Sequence, residues 1–260
     1  MFEVYRFNET EIALFALMLI RISTCIAIIP IFGVRHVPSS VKVLLSLLLT
    51  FILFPVLIKT TQMPLINWED EIFLLVAKEA FLGMFMGFLT RLIFIAVDVA
   101  GELLGFSMGF STAQLVNPTS GEASSVMEQF LTILATLLFL AINGHHMLIE
   151  AIYRSFSLVP LAQLSINPEN MASLSVIIQQ VFTIGFKLAA PMIAVILFLN
   201  IAMGIIGRAV PQVNVFVISF PVNILVGLFV FIVSIPLLLS TMQTDFVDVS
   251  AEIFKYIKNF

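Results

Sequence analysis

Three charged residues sit inside an apolar run where lipid would not tolerate them: Arg91, Asp98 and Glu102, all within residues 72–106. On a helix they fall within about 40° of one another, with Gly87 and Gly105 on the same side. A charge at a bilayer centre costs roughly 2.5–3.5 kcal/mol on insertion scales, so such groups mark where protein or water lies. Asp98 and Glu102, four residues apart, repel by roughly a few tenths of a kcal/mol. Arg91, two turns away, does not easily neutralise both. The pattern implies cationic partners on another helix or another subunit, in a packing network of ions or along a conduit. Later in the chain Asn200 shares a helical face with Gly204 and Gly207, and Asn223 shares one with Gly227 and Ser234. Gly83 with Gly87, and Gly101 with Gly105, have the spacing that lets helix backbones approach closely in lipid.

Covalent chemistry finds little to work with. His145 and His146 are adjacent, so helical phase separates them by about 100° and makes a poor chelate. There is no His-Glu-x-x-His zinc motif, no Gly-rich phosphate loop ending in Lys-Ser/Thr and no Gly-x-Ser-x-Gly elbow. The single cysteine, Cys25, lies in an apolar run and reads as core filler. A net charge of −4 without a basic cluster argues against nucleic acid. The expectation is a protein that is not an enzyme and holds no metal or cofactor.

Hydrophobic elements must carry these polar groups. Of 260 residues 60% are hydrophobic and 11% charged, with a mean hydropathy of +1.13. A soluble domain carries about 25% charged residues to cover its surface, so much of this surface faces something other than water. Spanning a bilayer takes about 20 apolar residues. Such runs occur at 12–31, 41–58, 72–106, 126–142, 171–206 and 215–239, with an amphipathic piece at 147–159. The spacing therefore predicts an all-α membrane protein with about six long hydrophobic helices, the last two forming a C-terminal hairpin. The third and fifth runs are too long for one simple crossing at about 1.5 Å per residue. They must tilt, break or extend into an assembly. Pro191 should kink the fifth. Arg35, Lys42 and Arg208 lie in connections without acids, while residues 59–71 hold Glu69, Asp70 and Glu71 against one lysine. By the positive-inside rule the first two connections face the cytoplasm and both termini lie outside. The acidic N-terminus lacks a cleavage site, so the first helix is expected to be retained.

Several segments together resemble one family. GELLGFSMGFSTAQLVNPTSGEASSVMEQF from Gly101, NGHH from Asn143, and GRAVPQVNVFVISFPVNILVGL from Gly207 are similar to signatures of the FliR family. So is the pattern of Arg21, Pro30, Gly33, Pro38 and Lys42, and the resemblance covers nearly the whole chain. It implies a subunit of the flagellar type III export gate in the bacterial inner membrane, at the flagellar basal body, assembled with FliP and FliQ and associated with FlhB. Unfolded flagellar subunits would pass through that gate. Residues 1–170 would be a FliP-like portion and 171–260 a FliQ-like hairpin and tail. The segment 106–122 would project into the pore and help close it, with Phe106, Met108, Phe110, Gln114, Asn117 and Pro118 as its residues. Arg91, Asp98, Glu102, Asn200, Arg208, Gln212, Asn214 and Asn223 would make polar contacts between helices or subunits, and Gly83, Gly87, Gly101 and Gly105 would pack helices. The injectisome counterpart of the gate and a small-solute secondary transporter are the alternatives; the latter would need inverted repeats, which the sequence does not display.

Overall fold

A computed structural model describes residues 9–30, 37–60, 68–110, 125–164, 168–210, 212 and 214–258. Its elements are α1 (Glu9–Ile28), α2 (Ser39–Thr60), α3 (Trp68–Met108), α4 (Val126–Ala141), α5 (Gly144–Leu158), α6 (Pro168–Ala209) and α7 (Val215–Lys258), with no strand among the described residues. Leu, Phe, Met and Ala dominate these runs, and such side chains lose little freedom or pack well once a helix is buried or in lipid. Helix ends follow local chemistry. Ser125 caps α4 by accepting the Glu128 N–H, and the Glu128 side chain accepts the Ser125 N–H in return, a complete capping box. Asn143, with φ 60°, breaks α4 from α5 in the left-handed conformation that asparagine tolerates. Gly109, φ 88°, closes α3.

Among the described residues five helices are long and apolar enough to cross a membrane, six spans if α4 and α5 together count as one. The chain is thus a multi-span, all-helical membrane protein. Two boundaries differ from those expected. The connection assigned to 106–122 starts later, because α3 continues through Met108. The last run, expected to end near 239, continues helical to Lys258. Met242 and Phe246, one turn apart, are both buried and give the helix beyond 239 a packed face. Helix α6 is continuous through Pro191.

The chain divides into two compact units that interleave along the sequence: Met1–Leu92 with Gly144–Ser175 and Val249–Phe260, and Ile93–Asn143 with Val176–Asp248. In the first, α1 packs on α2, with Phe15 edge-on to Phe54 at 5.3 Å, and Met18, Ile22, Leu57, Leu82 and Leu89 are fully buried. In the second, Phe94, Phe139 and Phe246 form a three-ring cluster with centroids 5.7–5.9 Å apart. Burial is uneven. In the most apolar 18-residue window within Ile72–Met108, 67% of residues are buried, against 17% for that within Ser175–Ala209 and 22% for that within Val217–Asp248. α6 and α7 therefore turn large side chains such as Phe182, Phe186, Phe198, Leu225 and Phe229 outward.

Candidate functional site

The first unit is organised around a buried ion pair. Arg21 of α1 and Glu79 of α3 are each 1% exposed, with Nε and Oε2 2.5 Å apart. The Arg21 Nη1 donates to the carbonyls of Val159 (2.9 Å), just past the end of α5, and Ser155 (3.3 Å), which also accepts the Val159 N–H. The guanidinium also lies over the Phe156 ring, 4.4 Å from its centre. The other Glu79 oxygen accepts the Ala162 N–H at 2.9 Å, where Ala162 holds φ 69°. One arginine and one glutamate thereby tie α1, α3 and the chain leaving α5. Both charges bond to backbone groups as well as to each other, which helps to tolerate them in a dry interior. Glycines permit this approach. A Cβ at Gly83 would run into the Arg21 carbonyl and Thr24, and one at Gly87 would lie 2.7 Å from the Cys25 oxygen.

In the sequence Arg21 stood out only within the family-like pattern near the N-terminus, and Glu79 did not stand out at all. The available signal was a lone arginine in an apolar run, which demands a carboxylate; helical phase could not say which one. Arg91 is exposed, and its neighbourhood is not that of Arg21.

In the second unit Asp98, half-buried, accepts the Thr132 hydroxyl at 2.6 Å, so α3 bonds to α4 there. Gly101 abuts Glu128, and a Cβ there would lie 2.9 Å from the Glu128 nitrogen. Gly105 abuts Ser125 at the start of α4. Glu102 is exposed. The α6 and α7 arms run antiparallel: Gly207 packs on Val215, Asn223 Nδ2 donates to Asn200 Oδ1 at 2.9 Å, and Lys187 Nζ meets Asp245 Oδ1 at 3.2 Å. Arg208, Gln212 and Asn214 are exposed around the turn between them, where Asn214 Oδ1 accepts the Val217 N–H.

Of the six residues assigned to a pore segment, three are described. Phe106 is 74% exposed on the last turn of α3, Phe110 is half-buried, and Met108 is fully buried against Gly227, its Cγ 2.8 Å from where a Cβ would stand. Gln114, Asn117 and Pro118 lie outside the described residues. The rings of His145 and His146 do not diverge as helical phase implied: their centres are 4.2 Å apart at 42°, because side-chain torsions in the first turn of α5 swing them together. Among the described residues no group of three His, Cys, Asp or Glu side chains converges as metal ligands would. The arrangement is one of helix packing and polar contact between helices.

Comparison with known proteins follows the same span. The family model for bacterial export proteins, family 1, matches residues 12–249. The flagellar biosynthetic protein FliR of Bacillus subtilis (strain 168) is 33% identical over 235 residues, covering 89% of this chain and 90% of the relative. That of Escherichia coli (strain K12) is 33% identical over 220 residues, 85% and 83% of the two chains. That of Aquifex aeolicus (strain VF5) is 28% identical over 243 residues, 92% of each.

Proposed function

This chain belongs to the FliR family of bacterial export proteins, and from that premise we propose that it is a membrane subunit of the flagellar protein-export gate. The observation that carries the reading is the extent of the family match, residues 12–249, which takes in all or most of each described helix. The gate would lie in the inner membrane at the flagellar basal body and pass unfolded flagellar subunits. FliP-like and FliQ-like subunits would be its neighbours, with FlhB associated. In this reading residues 1–170 form the FliP-like portion and 171–260 the FliQ-like hairpin, and the subunit works by binding and conformational gating, without covalent chemistry. Outward-facing phenylalanines on α6 and α7 fit helices that meet sister subunits as well as lipid. Residues 106–122 contribute to closure, with Phe110 at the near end of the segment.

Co-purification in mild detergent tests the assembly: the chain should come out in a stable complex with FliP-like and FliQ-like subunits, and a solitary monomer would overturn the reading. Closure has its own test. Deleting residues 110–116 should raise leakage of small solutes through the gate, and leakage held at background would remove the segment from the pore.

A further inference from the structure

The α6–α7 arms carry a polar rung where their surroundings are apolar. Asn200 lies nine residues inside the end of the apolar stretch Ser175–Ala209, about 14 Å along the helix. It is exposed, between Leu197, Phe198 and Ile201, which all face outward. Its oxygen is taken by Asn223, so its own amide N–H groups remain to be matched. Behind it Asn223 is 8% exposed, and its Oδ1 has no partner. The rung therefore offers free donors in front and an unmatched acceptor behind. Lipid chains supply neither counterpart at this depth. One turn further along α6 stands Gly204, exposed, where an added Cβ would meet nothing within 4 Å. The glycines 83, 87, 101, 105 and 185 are each pressed against another part of the chain. At Gly204 the chain itself imposes no such demand, although glycine weakens a helix.

We propose that Asn200 and Gly204, with Asn223 behind them, form a notch that receives a membrane-spanning helix of a different subunit. That helix brings a Ser, Thr, Asn or Gln side chain to the level of Asn200. Such a group accepts a free N–H of Asn200 at the surface, while Asn223, sealed behind it, holds the Asn200 amide in place. Gly204 lets the incoming backbone come close enough for that short side chain to reach. The inference rests on the chain being a gate subunit and adds the place and chemistry of one contact.

Lipid and helix make opposite demands at Gly204. Against lipid, Gly204→Leu would be neutral or favourable, since it removes a poor helix former and meets nothing in the chain. Against a helix it disrupts. In the full complex purified from membranes, it should lower recovery of partner subunits by about 3- to 15-fold, the range spanned by single contacts between membrane helices. The yield and melting temperature of the variant chain alone should not fall. Recovery unchanged beside an intact wild-type complex overturns the notch and leaves the gate standing; a wild type that recovers no partners overturns both. A photoreactive residue in place of Gly204 in the assembled gate then identifies the occupant. An adduct mapping to a Ser-, Thr-, Asn- or Gln-bearing membrane helix of another subunit supports the proposal. An adduct to lipid or to a second copy of this chain overturns it.

Discussion

Two ion pairs in this protein have similar chemistry and unequal weight. Arg21 and Glu79 are almost wholly buried, and each also bonds to backbone groups. Removing one member strands the other, which costs about 3–5 kcal/mol for buried pairs. Arg21→Ala should accordingly cut the denaturant or thermal stability of the chain in detergent by that order. Arg21→Met combined with Glu79→Leu should recover most of the loss, because a well-packed apolar pair no longer leaves a charge unmatched. A double-mutant cycle measures both outcomes. Lys187 and Asp245 differ, since Lys187 is 57% exposed. Lys187→Ala should lower stability by about 1–3 kcal/mol in the same measurement, less than Arg21→Ala, because Asp245 is 12% exposed and loses its cation while Lys187 itself is not enclosed. Which charges matter was only half legible in the sequence. Arg91, Asp98 and Glu102 stood out because they cluster at a helical period, a local signal. Arg21 and Glu79 are 58 residues apart, and no local period joins them.

Helices in this chain were easy to foresee and their edges were not. Apolar length marks a span, so every long run reappears as a helix. What ends a helix is capping and tertiary support, and the residues 240–258 look too polar to continue one until Met242 and Phe246 are seen packed. Glycine spacing was similarly legible as a tendency, but the facing element was not: Gly83 and Gly87 meet α1, while Gly101 and Gly105 meet the start of α4. The consequences divide by position. Gly101→Val forces a branched side chain into the Glu128 backbone and should lower stability by about 1–3 kcal/mol, the usual penalty of overpacking. Gly204→Ala in the isolated chain meets nothing and should raise stability by up to about 1 kcal/mol through helix propensity alone. Thermal unfolding of the two variants in one detergent, read by circular dichroism, checks both signs.

Across the whole molecule, burial differs between helices that are all strongly apolar. α3 is largely enclosed, whereas α6 and α7 keep about a fifth of their most apolar windows inside the chain. Composition announces the oily surface; it does not say which helices own it, because that depends on contacts made by residues far apart in sequence. Amide exchange is the natural measurement, since protection tracks local enclosure. In detergent, amides of Ser175–Ala209 should exchange faster than those of Ile72–Met108, and assembly with partner subunits should slow the former by about tenfold or more while the latter change little.

The clasp between α1 and α3 also bears on how the protein is made. Translation delivers Arg21 well before Glu79, an interval of roughly 3–12 s at ~5–20 residues per second, and Ser155 and Val159 come later still. During that wait the guanidinium has no carboxylate, so the nascent first helix is best kept beside the insertion machinery, in a hydrated or protein-lined vestibule, until α3 emerges. Release into lipid before then would strand a cation, and the order of synthesis thus sets a minimum residence time at the translocon.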